Sequence, residues 1–263
     1  MHNNADMQPL LDIMAKLRNP DNGCPWDRAQ TFETIVPFTL EEAYEVADTI
    51  ERMALDDLPD ELGDLLFQVV FYCQLGKEQG LFDFDDVIEK ICTKLTARHP
   101  HVFGELKGAT KEQVKDSWEK IKANERSDKQ LHSVLDNIPL GLPALTRSVK
   151  IQKRVARVGF DWNELAPVVD KIHEEIAEVL HEVEQEEVIP SKVQDEMGDL
   201  LFAVVNLSRH LGVEPEQALR QANTKFERRF RGVETLAELS GKSMQEHSLE
   251  ELECYWGEIK LQE

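Results

Sequence analysis

The chain has 263 residues, with 30 Lys and Arg against 51 Asp and Glu, a formal net charge of −21. That length suits one large or two small domains, each able to bury a core without covalent staples. The acidity argues against binding nucleic acid or an anionic membrane through the chain as a whole, so an anionic substrate needs metal ions or a local basic cluster.

From the start of the chain, Asp6 and Pro9 interrupt any basic-then-apolar pattern, and no secretory signal is read. Apolar residues then recur at helical spacing through most of the sequence, without alternating Val/Ile/Thr runs, and predict an all-α fold. Pro37, Pro59, Gly80 and Pro100 punctuate the first half, and Pro139, Pro143, Gly159, Pro167, Pro190, Gly212 and Pro215 the second, as helix ends require. Ser191 followed by Gln194 fits a capping box, and Pro215 a first helical position. Residues 1–125 are read as one helical domain, the polar stretch 126–142 as a linker, and 143–263 as a second helical domain. The longest apolar runs, Leu65 to Cys73 and Leu200 to Leu207, fall far short of the roughly 20 residues that span a bilayer. Cys24, Cys73, Cys92 and Cys254 form no C-x-x-C pair, which points to free thiols in a reducing cytoplasm.

An internal duplication orders these elements. Glu61-Leu-Gly-Asp-Leu-Leu-Phe67 matches Glu196-Met-Gly-Asp-Leu-Leu-Phe202, and upstream Glu41-Glu42-Ala-Tyr-Glu45 matches Glu174-Glu175-Ile-Ala-Glu178. Lys94 with Arg98 parallels Lys225 with Arg229, and Trp118 to Lys122 parallels Trp256 to Lys260. Gly23-Cys-Pro-Trp26-Asp27 has a looser echo in Gly159-Phe-Asp161-Trp162. Several matched elements in one order require two copies of one helical unit.

Residues three apart on a helix share a face, so Glu175 with Glu178, and Glu196 with Asp199, form two acidic pairs. Two such helices side by side bring four like charges together, which is costly unless cations occupy the site. Hard oxygen ligands select Mg²⁺, Mn²⁺ or Ca²⁺ over zinc. Acidic pairs on helices are commonly solvated faces. Here, however, Glu196 and Asp199 introduce the most apolar run of the second half, and Glu175 and Glu178 are interleaved with Ile172, Ile176 and Val179. The first copy repeats the arrangement in Glu42, Glu45, Glu61 and Asp64, a second candidate metal site.

E-E-x-x-E followed about 20 residues later by E-x-G-D-L-L-F resembles the signature of the MazG family within the all-α NTP pyrophosphatase superfamily. The resemblance runs along nearly the whole chain and takes in Arg98-His-Pro-His-Val-Phe103 and Val158-Gly-Phe-Asp-Trp162. It implies tandem helical bundles, usually dimeric, that bind Mg²⁺ and cut nucleoside triphosphates at the α-phosphorus into nucleoside monophosphate and pyrophosphate. Glu175, Glu178, Glu196 and Asp199 take the places of its metal ligands. Nucleotide contacts are implied at Lys171, Lys192, Lys225, Arg228, Arg229, Trp256 and Lys260. Lysine and arginine one turn apart neutralise phosphates, and Trp256 can stack on any base, which suits broad specificity. Glu175, with Glu174 as alternative, is assigned to accept the proton of the attacking water.

Other signals weigh less. Gly241-Lys-Ser243 lacks both the first glycine and the preceding strand of a phosphate loop. His99-Pro-His101 reads as a loop at a helix end. Glu178 with His181 has the E-x-x-H spacing of di-iron carboxylate oxidases, though a second such pair is missing. A non-hydrolytic regulatory module that binds nucleotide or Mg²⁺ is the remaining alternative. The second copy is expected to be the catalytic one. Pro100 closely follows the basic pair of the first copy, and Asn206 in the second copy corresponds to Phe71 in the first.

Overall fold

A computed structural model describes residues 6–104, 110, 113, 114, 117, 121 and 133–262. The chain divides into two compact units, Met1–Glu125 and Arg126–Glu263. Trp118 to Lys122, apart from residue 121, and positions 126–132 of the expected linker lie outside the described residues. Every regular element among the described residues is helical. No described helix is long and apolar enough to cross a membrane.

Unit 1 contains α1 (Gln8–Leu17), α2 (Pro25–Ala29), α3 (Phe32–Glu51), α4 (Leu58–Glu78), α5 (Phe84–Arg98) and the single turn α6 (Pro100–Phe103). Reciprocal capping starts α3, where the Thr34 amide donates to Thr31 Oγ at 3.4 Å and the Thr31 amide donates to Thr34 Oγ at 2.8 Å. Pro37, read from sequence as a breaker, lies inside α3 instead. It falls close to the start of the helix, where little ladder precedes it to be lost. α3 and α4 pack along their lengths, with α1 against α4. The core between them is aromatic: Met14, Ile35, Val70, Phe71 and Leu75 are buried, with Phe32, Phe38, Phe67 and Tyr72 against them.

Unit 2 repeats the plan with α7 (Ala144–Ala156), α8 (Leu165–Val183), α9 (Pro190–His210), α10 (Pro215–Leu239) and α11 (Leu249–Leu261). The capping box read at Ser191 is corrected: Ile189 is the N-cap, without a side-chain bond, and Pro190 already opens the helix. A proline at the first helical position needs no donor partner, so the start is preset by its fixed φ. Pro215 opens α10 as expected, where Glu214 accepts from the Gln217 amide at 2.9 Å. α8 and α9 form the most extensively packed pair, with α7 laid across α9. Most of the buried apolar residues here are small and aliphatic, among them Val149, Val168, Ala203, Val205, Val233 and Ala237.

Candidate active site

Helical spacing turns Glu175 and Glu178 of α8 and Glu196 and Asp199 of α9 toward the groove between the two helices. Carboxylate oxygens of Glu175, Glu196 and Asp199 lie within 4.8 Å of one another. Glu178 adjoins Glu175 on the same face of α8, one turn along. Partial desolvation, then the charge of Glu175, holds the Glu178 carboxyl above its ordinary value of 4.5, with Glu196 adding and Lys171 opposing.

Glu175 is the buried member, 4% exposed. Its Oε1 lies 2.8 Å from Lys171 Nζ, whereas Oε2 is buried and has no hydrogen-bond partner. Leaving a buried acceptor unsatisfied costs about 1–3 kcal/mol, more for a charged one. Beside two further carboxylates, this oxygen fits the coordination that a hard divalent cation takes. Lys171 also bonds Glu174 Oε1 at 2.8 Å. The hydrogen bonds to Glu174 and then Glu175 hold its ammonium well above the ordinary lysine range. Glu174 is therefore exposed and turned toward Lys171, outside the grouped carboxylates.

A cleft of about 650 Å³ opens beside these groups, within the size range of small-ligand sites. Its walls are Gln152 and Val155 of α7, Phe160, Asp161 and Trp162 of the following loop, Lys171 and Glu175 of α8, and Asp199, Phe202, Asn206 and Arg209 of α9. Gly159, at φ +87°, lets α7 stop and the chain double back. The Phe160 amide then bonds the Val155 carbonyl at 3.1 Å. Asp161 ties the loop to α9 by accepting from the Arg209 guanidinium and lying 3.1 Å from His210 Nε2. The Arg209 bond holds the Asp161 carboxyl below the usual range. Arg209 also donates to Asn206 Oδ1 at 2.8 Å and 3.0 Å.

The other sequence-predicted contacts lie outside the cleft lining. Lys192 Nζ is 3.6 Å from Glu182. On α10 and α11, the Arg229 guanidinium sits 5.8 Å over the Trp256 ring, and Phe226 packs against the same ring at 5.1 Å. Lys225, Arg228 and Lys260 are exposed on these two helices. His181 neighbours Gln185 and is absent from the carboxylate group, so the E-x-x-H spacing does not bring a histidine to it. Sequence reasoning missed Gln152 and Arg209. The repeated Gly159 to Trp162 segment flagged Asp161, but nothing in local spacing joins it to a partner 48 residues away.

Unit 1 assembles the same acids without the same surroundings. Oxygens of Glu42, Glu45 and Glu61 lie within 4.8 Å of one another. Burial and then the charge of Asp64 raise the Glu42 carboxyl; burial and then Glu45 raise that of Glu61. In the register of the duplication, Phe38 stands where unit 2 has Lys171, Phe71 where it has Asn206, and Gln74 where it has Arg209. Phe71 is 1% exposed, Trp26 meets Phe38 edge-on at 5.5 Å, and the Arg18 guanidinium lies 5.4 Å over the Phe71 ring. Packed rings occupy the position of the cleft.

The sequence of the MazG nucleotide pyrophosphohydrolase domain family matches residues 30–103 and 165–233, one stretch in each unit. The chain is 56% identical over 254 residues to the nucleoside triphosphate pyrophosphohydrolase of Escherichia coli strain K12, covering 97% of each. It is 43% identical over 253 residues to the nucleoside triphosphate pyrophosphohydrolase/pyrophosphatase MazG of Thermotoga maritima, covering 96% of this chain and 95% of that one. A Bacillus subtilis protein described as uncharacterized, YabN, is 41% identical over 97% of this chain and 52% of its own length.

Proposed function

Because the chain belongs to the MazG family, we propose that unit 2 hydrolyses nucleoside triphosphates to nucleoside monophosphate and pyrophosphate, with Mg²⁺, or Mn²⁺ as substitute, held by Glu175, Glu178, Glu196 and Asp199. The observation that carries this reading is the unpartnered, buried Oε2 of Glu175. It stands among grouped carboxylates, at the edge of a cleft large enough for a nucleoside. When bound, the cation supplies charge neutralisation for phosphate oxygens and a template for in-line displacement.

The chain's own residues do the positioning. Lys171 fixes the rotamer of Glu175 through its 2.8 Å contact and presents positive charge at the cleft. Glu175 accepts the proton of the water that attacks the α-phosphorus. The nucleoside lies in the cleft, where Phe160 and Trp162 offer ring faces that stack on any base, so common ribo- and deoxyribonucleotides are accepted alike. Lys192, Lys225, Arg228, Arg229 and Lys260, outside the cleft, are the proposed contacts for phosphates that project from it, and Trp256 braces Arg229 among them. Unit 1 is proposed to be non-catalytic, a structural or regulatory copy whose acids lack an adjoining cleft.

The protein is further read as a cytoplasmic homodimer. Met197, Leu201 and Val204 recur at helical spacing along α9 and are exposed, an apolar stripe that a second copy would cover. Sedimentation of a monomer at micromolar concentration would remove the dimer. Hydrolysis of ATP in ¹⁸O-water tests the chemistry: label is expected in AMP, and label in pyrophosphate would mean attack at the β-phosphorus and defeat the scheme.

A further inference from the structure

We propose that Gln152 is a specificity-determining residue: its side-chain carbonyl accepts a hydrogen bond from an N–H on the edge of the nucleobase bound in the unit 2 cleft. The inference rests on the nucleotide reading of that cleft. Gln152 lines the cleft yet is only 4% exposed. Its Nε2 donates to the Phe202 carbonyl at 2.8 Å, which fixes the amide, since the flipped orientation would set two carbonyl oxygens against each other. Oε1 is left buried with no partner.

The surroundings make that oxygen consequential. Val155, Phe202 and Ala203 supply apolar wall on either side, and a hydrogen bond formed against such a wall is stronger than one in water. A base seated against this wall that brings a donor satisfies the acceptor, and one that brings none leaves it orphaned. Each standard base has an N–H on its pairing edge: an exocyclic amine in adenine and cytosine, a ring imide in guanine, uracil and thymine. The acceptor is thus compatible with broad use of the standard nucleotides, and it rejects bases in which that N–H is removed or methylated.

The experiment compares kcat/KM for two substrate pairs, ATP against purine riboside triphosphate and UTP against N3-methyl-UTP, in the wild-type protein and in Gln152→Leu. Wild type is expected to favour the N–H-bearing member of each pair by about 10- to 100-fold, the scale set by leaving one buried acceptor unsatisfied. In Gln152→Leu both ratios collapse toward one, while Mn²⁺ affinity, read by electron paramagnetic resonance, stays at the wild-type value. Equal efficiencies within the wild-type pairs, or ratios that persist in the variant, overturn the assignment. Should the leucine variant fail to fold, the wild-type ratios decide alone. Failure to release monophosphate and pyrophosphate from any member of the panel would instead overturn the nucleotide reading, and this proposal with it.

Discussion

Units 1 and 2 carry the same pairs of carboxylates on the same pairs of helices, and they differ in what the neighbouring positions hold. Unit 1 has Phe38, Phe71 and Gln74 where unit 2 has Lys171, Asn206 and Arg209. The aromatic set closes a core around Met14 and Val70; the polar set, beside the small Ala203, leaves a cleft of about 650 Å³. Buried aromatic rings each contribute several kcal/mol of stability through area and packing, a contribution unit 2 forgoes to keep space for a ligand. A cluster of acids alone therefore does not tell the two units apart. The adjoining volume, and the polar groups that line it, do.

The sharpest way to break this contrast is to delete an acid from each unit. Glu196→Ala or Asp199→Asn is expected to lower NTP turnover by more than about 100-fold, beyond the usual cost of losing a group that merely supports a ligand. Glu61→Ala should leave turnover near wild type, and the reverse pattern in a pyrophosphate-release assay would assign catalysis to the wrong unit. Neither change should diminish the helical circular-dichroism signal, because each removes like-charge repulsion.

A smaller effect separates packing from support. Phe71→Ala is expected to destabilise unit 1 by about 3–5 kcal/mol, as loss of a buried ring does, with little change in turnover per folded molecule. Asn206→Ala should spare stability and reduce turnover by about 10- to 100-fold, since Asn206 holds Arg209 and through it the Asp161 loop. Urea unfolding and steady-state kinetics on the two variants would contradict the comparison if their effects were interchanged.

The smallest expected effect is on pH dependence. Burial with neighbouring carboxylates raises Glu42 and Glu61 in unit 1 and Glu178 in unit 2 above the ordinary 4.5. Between the ordinary and the raised values, the folded chain binds more protons than the unfolded one, so metal-free stability falls as pH rises through that window. A divalent cation competes with those protons. The Tm gain on adding Mg²⁺ should therefore be near zero below the window and grow above it. A gain independent of pH would detach the carboxylates from cation binding.

The all-helical fold and both acidic groups were legible because helical periodicity and i,i+3 spacing are local, and the duplication repeated them. Adjacency in sequence hides direction: Glu174, about 100° around the helix from Glu175, shares Lys171 with it but stands outside the grouped carboxylates. Ser191 misled for a related reason, since Pro190 already fixes the helix start without its help. Gln152 and Arg209 were invisible because their significance lies in contacts with Phe202 and Asp161, which only the packing of α7, the loop and α9 creates.

Lys171 has a consequence for how the two acid-bearing helices of unit 2 come together. Its ammonium, 2.8 Å from both Glu174 and Glu175, is a resident countercharge for the most buried acid of unit 2. It partly offsets the repulsion among the carboxylates that α8 and α9 bring together. Unit 1 has Phe38 at that position, and burial with neighbouring carboxylates raises Glu42 and Glu61 there. In unit 2 the countercharge is thus part of the chain itself.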